Sequence, residues 1–440
     1  TVCDDVDQCP DFDDTLDLDG NGVSDCLEIP GCMDDTATNY NSEATQDDGS
    51  CYYTYSLDNL HSGANLFSFY VLPDVSGYSD CTSVENLGDF GGLLEGVLGA
   101  ESAMIYDDGM PIGSLLDICR RPGYWLKISE GLSNSPEITG YRTPSDIQYQ
   151  LNSGNNLISF PSDESFLLED VIPGNLDGVL YGVLGEGQNA VYEDGEWYGS
   201  LTTFEGFRGY WFKTSDSVNF SFNISENLPV ASLSSINSNM PLAGYDFNQS
   251  SVQAAYFIRE LPDAAIGDYI IAYHNETVVG YRQWNGEMVD IPVMGNDREL
   301  YSTNYIDFGS EPQFILYDHL TGLEKKLYGN IPEFINNEIF IVDILSTDNG
   351  AIPSRVELHK AYPNPFNPVT NISFTLPYTM QVEINILDIH GRKIRNISSS
   401  SYVKGLNSIT IDANDLSSGI YFVQLLAEET TEYTKIMLLK

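Results

Sequence analysis

Positive charge is what this 440-residue chain lacks most: 19 Lys and Arg stand against 65 Asp and Glu, a formal net charge of −46. Such a chain is repelled by nucleic acid and by anionic membrane faces, and attracts divalent cations wherever its carboxylates converge. It has no run of about 18 apolar residues, which excludes a membrane-spanning helix. A basic and then apolar leader is also missing. The chain opens at Thr1-Val2-Cys3-Asp4, inside an acidic pattern, which reads as a processed or truncated start. HExxH, GxSxG and P-loop patterns are absent and the five His (His61, His274, His319, His359, His390) are scattered. No Asp/Glu pair stands out for glycoside hydrolysis, so the expectation is a protein that is not an enzyme. Cysteine is absent beyond position 119. Cys3, Cys9, Cys26, Cys32, Cys51, Cys81 and Cys119 include no CxxC and have only His61 nearby, which serves zinc poorly. Short acidic loops dotted with cysteine read as disulfide-stapled segments in an oxidising compartment. The expected pairs are Cys9–Cys26, Cys32–Cys51 and Cys81–Cys119, with Cys3 left odd, although spacing does not fix connectivity.

What is present is apolar enough to fold: 42% hydrophobic and 12% aromatic residues exclude global disorder. Residues 1–52 are acidic and rich in Gly and Asn, with too little apolar pattern for a core, and need disulfides or metal for order. An internal duplication comes next. Ser62-Gly63-Ala64-Asn65-Leu66-Phe67-Ser68-Phe69 recurs as Ser153-Gly154-Asn155-Asn156-Leu157-Ile158-Ser159-Phe160. Gly96–Lys127 aligns without gaps on Gly182–Lys213, with 14 identities in 32 positions, including Gly-Tyr-Trp at 123–125 and 209–211. A period near ninety residues is a duplicated domain, not a solenoid repeat. Each copy reads as an apolar strand, a short stretch of helical spacing around Val84–Leu94 or Phe166–Val171, then strands joined by Asp108-Gly109 or Asp194-Gly195 hairpin turns. The copies span residues 53–145 and 146–230. Residues 231–347 are again strand-rich, with an Asn285-Gly286 turn, and read as a β-sandwich. Residues 348–361 read as a linker and 362–440 as a last β unit, with clear alternation in Gln381–Leu387.

The sharpest motif is Asp17-Leu18-Asp19-Gly20-Asn21-Gly22-Val23-Ser24-Asp25-Cys26-Leu27-Glu28, which fits D-x-[DN]-x-[DN]-G-x5-E. Calcium takes six to eight oxygens. Asp17, Asp19 and Asn21 alternate toward one point, Gly22 permits the turn, the Val23 carbonyl can ligate, Asp25 can act through water and Glu28 can be bidentate. The flanks are not two helices, so a lone loop is expected. With the preceding Cys9-Pro10-Asp11-Phe12-Asp13-Asp14, this stretch resembles thrombospondin type 3 repeats. That resemblance implies calcium ions wrapped by disulfide-stapled acidic loops, with Asp5, Asp7, Asp11, Asp13 and Asp14 as further ligands. Gly31-Cys32-Met33-Asp34-Asp35 … Asp47-Asp48-Gly49-Ser50-Cys51 resembles a cysteine-bounded motif of secreted marine bacterial proteins. The middle cysteine of that motif is replaced by Thr38, which supports pairing Cys32 with Cys51. Trp125 and Trp211, at one place in the duplicated strand, read as core; Trp197 and Trp284, beside turns, read as exposed aromatics able to stack on sugars.

The C-terminal residues carry four motifs in order: Ala361-Tyr362-Pro363-Asn364-Pro365-Phe366-Asn367-Pro368, Ile386-Leu387-Asp388-Ile389-His390-Gly391-Arg392-Lys393-Ile394, Leu416-Ser417-Ser418-Gly419-Ile420-Tyr421-Phe422-Val423 and Lys435-Ile436-Met437-Leu438-Leu439-Lys440. Pro363, Pro365 and Pro368 are expected to keep the start extended, and Gly391 and Gly419 to mark turns. This order resembles the C-terminal sorting domain of type IX secretion substrates, an immunoglobulin-like, hook-capping-like β-sandwich. The resemblance implies an outer-membrane translocon as partner and a destination outside the cell or on its surface. The expected fold is therefore mainly β and multidomain: an irregular calcium-binding N-terminal segment, tandem β modules and immunoglobulin-like β-sandwiches. The expected role is structural or adhesive, with Ca2+ stiffening the stalk. The alternatives are a protomer of an extracellular filament, joined to copies of itself through open β edges, and a protein that binds or cleaves surface glycans.

Overall fold

The computed structural model describes residues 16–18, 20, 22–73, 79–88, 90–107, 109–129, 135–224, 229, 242–347, 356–376, 380–402, 405–427 and 430–440. The architecture is mainly β and multidomain; among the described residues the only α-helix is the single turn Leu168–Val171. The chain divides into two compact units, residues 1–257, 271–312 and 333–341, and residues 258–270, 313–332 and 342–440. Of residues 231–347, expected as one sandwich, 242–257, 271–312 and 333–341 fall in the first unit and 258–270, 313–332 and 342–347 in the second.

In the first unit the two copies fold alike. Copy one is a five-stranded sheet in the order Gly63–Ser68, Gly123–Ile128, Leu94–Leu98, Ala103–Asp107, Met110–Gly113; copy two repeats it as Gly154–Ser159, Gly209–Thr214, Leu180–Leu184, Asn189–Glu193, Glu196–Gly199. Even the irregularity is inherited: a bulge skips Glu95 opposite Lys127–Ile128, and another skips Tyr181 opposite Lys213–Thr214. The Asp194-Gly195 turn has φ of 54° and 91°, the left-handed region that tight hairpins need and that these residue types tolerate. The Gly-Tyr-Trp strands are buried along their full length because neighbours flank them and both faces are covered.

The copies join through contacts that repeat with their roles exchanged. Phe67 bridges Arg208, and its counterpart Ile158 bridges Pro122. Ser68 N donates to Phe207 O at 2.9 Å, and Ser159 N to Arg121 O at 2.8 Å. Approach is so close that a Cβ on Gly209 would stand 2.8 Å from Phe67 O, and one on Gly123 2.7 Å from Ile158 O. Glycine in both Gly-Tyr-Trp motifs is thus required by backbone packing between copies. Beyond this seam a shared core gathers Leu66, Trp125, Leu157, Leu184 and Trp211 with Ala255 and Phe257 of the next region.

The second unit contains the hairpin Gln313–Tyr317/Glu324–Lys326 and a C-terminal sandwich. One sheet runs Glu357–Leu358, Val369–Leu376, Gly405–Asp412; the other runs Lys393–Tyr402, Met380–Leu387, Gly419–Ala427, Thr430–Leu438. Alternation in Val369–Leu376 buries Thr370, Ile372, Phe374 and Leu376, and these pack on Ile384, Ile386, Val423, Leu425, Ile436 and Leu438. Val356 and Ala361, from the stretch read as linker, are buried in this core. The Tyr362–Asn367 segment bends repeatedly, with cis bonds before Pro363, Pro365 and Pro368, where an extended run was expected. The pre-proline rule that guided that expectation restricts φ and ψ and is silent on ω.

Candidate functional site

Of the calcium-loop residues, Asp17, Val23, Asp25 and Glu28 are described, while Asp5, Asp7, Asp11, Asp13, Asp14, Asp19 and Asn21 lie outside the described residues. The loop folds onto its first carboxylate: Asp17 Oδ1 accepts Gly20 N–H at 2.8 Å and Oδ2 accepts Gly22 N–H at 3.0 Å. Gly20 and Gly22 have φ of 74° and 88°, which explains glycine at both positions. Asp25 Oδ1 accepts Leu18 N–H at 2.9 Å, and Asp25 N–H closes onto Leu16 O at 2.8 Å. Among the described residues no three His, Cys, Asp or Glu side chains converge at metal-binding distance. The donors are all oxygen, the chemistry that suits a hard cation and not zinc. Cys26 is disulfide-bonded; Cys9, its expected partner, lies outside the described residues.

Two further disulfides join Cys32 to Cys51 and Cys81 to Cys119, with Cα separations of 4.8 and 4.0 Å. Thr38, in place of the missing middle cysteine, donates its N–H to Tyr52 O at 2.8 Å. Asp34 ties this small stapled element to copy one. Its Oδ2 accepts Tyr53 OH at 2.6 Å and lies 3.3 Å from Arg142 Nη1, while the Arg142 guanidinium stacks 3.6 Å from the centre of the Tyr53 ring. The hydrogen bonds from Tyr53 and Thr36 hold the Asp34 carboxyl down at about 2.

Two lysines that sequence reasoning passed over fasten the duplicated sheets to the region after them. Lys127 and Lys213 close the Gly-Tyr-Trp-x-Lys strands and are buried. Lys127 Nζ pairs with Asp297 and donates to Tyr301 OH at 3.1 Å; Lys213 Nζ donates to Asn337 O at 2.9 Å and Glu338 Oε1 at 2.7 Å. Burial alone would raise Asp297, but the hydrogen bonds from Lys127 and Ser302 and the charge of Lys127 outweigh it and hold the carboxyl well below the usual range. The signal was available: a lysine repeated at the end of an otherwise apolar duplicated strand.

A third charged cluster breaks the symmetry of the copies. Glu186 and Arg208 of copy two replace Ala100 and Pro122 of copy one. Glu186 takes His61 Nε2 at 2.5 Å, Arg208 Nη1 at 2.8 Å and Leu66 N–H at 2.7 Å. Burial disfavours charge on His61, yet Glu186 more than compensates and holds it above the ordinary histidine value; burial likewise opposes the Glu186 charge, and Arg208 and His61 hold that carboxyl down. A polar cavity of about 290 Å3 opens beside the cluster, lined by Asn59, Gln188, Glu205 and Arg208 among others.

Of the aromatics weighed as sugar platforms, three are buried and Trp197 is half-buried. Trp284, expected at the surface, is buried, at 5% exposure. Trp197 packs on the copy-two core and against Tyr192, with ring centres 5.1 Å apart. Trp125 and Trp211 are core, as expected.

In the C-terminal sandwich each motif closes a piece of the fold. Asp388 Oδ1 accepts the N–H groups of His390 and Arg392 at 2.8 and 2.9 Å, its Oδ2 takes Arg392 Nε at 2.7 Å, and Gly391 supplies φ of 78°. These bonds hold the Asp388 carboxyl down at about 2. Asn364 stitches the proline-rich segment to the last strand: its Nδ2 donates to Lys435 O and its Oδ1 accepts Met437 N–H, both at 2.8 Å. Phe366 N–H and O then bond Met437 O and Leu439 N–H, both at 2.9 Å. Ser418 accepts Lys440 N–H at 2.9 Å, and Tyr421 OH donates to Ser417 O at 2.8 Å.

Residues 360–439 match the family described as secretion system C-terminal sorting domain. The C-terminal sandwich is a type IX sorting domain. The protein is accordingly handled by type IX secretion and exported to the extracellular or cell-surface space. No helix among the described residues is long and apolar enough to cross a membrane. No curated protein is significantly similar to the chain. Among solved structures it is similar to dimeric latent PorU from Porphyromonas gingivalis, at 10% identity over 71% of this chain and 35% of that one, with a TM-score of 0.18. PorZ, a surface component of the type IX secretion system of the same organism, aligns at 11% identity over 79% of this chain and 50% of its own, with a TM-score of 0.16. A tetra-tandem repeat from the extending region of a large adhesion protein aligns at 10% identity, covering 79% of this chain and 92% of that one, also at 0.16. The chain thus spans about a third of PorU and half of PorZ. Similarities this low carry no argument about shape or role.

Proposed function

We propose that this exported protein is a non-enzymatic structural or adhesive component of the cell surface whose acidic N-terminal segment is stiffened by Ca2+. The observation that carries the calcium part is the loop closed on Asp17, where Gly20 and Gly22 point their N–H groups at the carboxylate and Asp25 clasps the other side. Asp17, Asp19, Asn21, Glu28 and the Val23 carbonyl would hold the ion, with Asp25 acting through water and Asp5, Asp7, Asp11, Asp13 and Asp14 serving further ions. Bound Ca2+ supplies positive charge among carboxylates that otherwise repel one another. The structural part draws support from the duplicated sheets, which buried lysines on both copies fix to Asp297 and Glu338.

Removal of calcium with EDTA is expected to lower the melting temperature and speed proteolysis within residues 1–52, and excess CaCl2 to reverse both. An identical digestion pattern with and without calcium refutes the stiffening role. Titration calorimetry on D17N, expected to lose one binding event, ties the effect to this loop.

A further inference from the structure

The duplication provides an internal control for surface exposure. The face of the copy-two sheet that carries Trp211 and Lys213 also carries Gly182, Val191 and Tyr198 at its outer strands. That face is covered. Val191 is 4% exposed in a cluster with Ala255, Phe257, Met288 and Ile339. A Cβ on Gly182 would stand 2.3 Å from Ile339 Cδ1, so tightly does the covering layer sit.

The matching positions of copy one are Gly96, Ile105 and Ile112, with Ile105 directly opposite Ile112 in the register. Gly96 is buried, but the two outer strands are open: Ile105 is 58% exposed, Ile112 52% and Met110, beside them on the same face, 66%. Met110 stands where copy two has Glu196, so the open face is more apolar at its rim than the buried one. A contiguous open apolar patch on an exported protein marks an interaction surface.

Its surroundings define the occupant. Residues 94–117 contain no Lys, Arg or His; the exposed Asp107 stands directly opposite Met110 in the register, and the exposed Glu95 is next to Gly96. A second copy of a chain with net charge −46 would bring like charges together across this rim. The free edge strand Met110–Gly113 contains Pro111, which has no N–H to donate, so strand addition at the edge is blunted and docking falls to the face.

We propose that the Ile105–Ile112 face of copy one docks a β-layer of another protein, apolar at its centre and rimmed by Lys or Arg. It would sit as the layer bearing Phe257 and Ile339 sits on copy two. This inference is independent of the calcium reading.

The test uses the full chain and a dye-labelled, disulfide-closed β-hairpin peptide with Val and Phe on one face and Lys along its rim, read by fluorescence anisotropy. Wild type is expected to bind it, with I105D/I112D at least tenfold weaker at an unchanged melting temperature, and 0.5 M NaCl weakening it several-fold. Ile105 and Ile112 are exposed, so the double variant is expected to fold; I105T/I112T is a milder second variant, with an intermediate loss expected. Equal binding to wild type and I105D/I112D overturns the site. Equal binding of a hairpin with Glu in place of Lys overturns the charge assignment. A wild-type dimer in light scattering that I105D/I112D abolishes gives the face to a second copy and overturns the proposed partner.

Discussion

Replacing Asp297 by Ala is expected to be strongly destabilising to the first unit. The Asp297 side chain is 2% exposed and that of Lys127 9%. Besides Lys127, the carboxylate accepts Ser251 N–H and Oγ at 3.1 Å, Tyr301 OH at 2.8 Å and Ser302 Oγ at 2.6 Å. D297A leaves the Lys127 ammonium with Tyr301 OH at 3.1 Å and Glu299 Oε1 at 4.0 Å, neither an equal replacement. Breaking a buried pair in this way costs about 3–5 kcal/mol. K127M removes the cation but leaves Asp297 its hydroxyl and amide donors, so it is expected to cost less than D297A. The double variant K127M/D297A buries no unpaired charge and is expected to cost less than the sum of the singles. Guanidinium unfolding followed by tryptophan fluorescence reads this unit alone, because Trp125, Trp197, Trp211 and Trp284 all lie within it. With a slope of about 5 kcal/mol/M the D297A midpoint falls by roughly 0.6–1 M. A D297A midpoint within about 0.2 M of wild type, or a K127M loss equal to that of D297A, refutes the reasoning.

Gly209→Ala places a methyl group against Phe67 O and is expected to cost about 1–3 kcal/mol in the same assay, whereas Gly174→Ala, with ordinary space around it, is expected to cost almost nothing. The His61–Glu186 pair makes stability depend on pH. His61, raised in the folded state, contributes below its unfolded value near 6.5 and loses that contribution as pH rises through the folded value; Glu186, lowered, contributes above about 4.3 and fails as pH falls. The midpoint is therefore expected to be higher at pH 5.5 than at pH 8.5, and H61Q to flatten that difference. In the sorting domain, D388A is expected to speed hydrogen exchange at the His390 and Arg392 amides, while in wild type their protection persists in acid until pH falls toward 2.

The identity of the two copies was legible because duplication repeats turns and glycines along with the core: Gly123 and Gly209 recur since the seam between copies needs both. The sorting domain was equally legible, since Asp388, Gly391 and Asn364 act within their own turns or on the last strand. What escaped was long-range. Lys127 finds Asp297 across 170 residues and His61 finds Glu186 across 125, and no local pattern encodes such a pairing. Trp284 misled for the converse reason: polar neighbours in sequence did not mean solvent in space.

The stitching of Phe366 and Asn364 to the final strand has a mechanical consequence. Phe366 and Leu438 bridge in parallel. Tension applied upstream of Ala361 and resisted at the C-terminal end would slide these segments past one another. The four hydrogen bonds from Asn364 and Phe366 would then be loaded together and not peeled one by one. A cargo dragged by flow would thus load the seam where the sorting domain begins in shear.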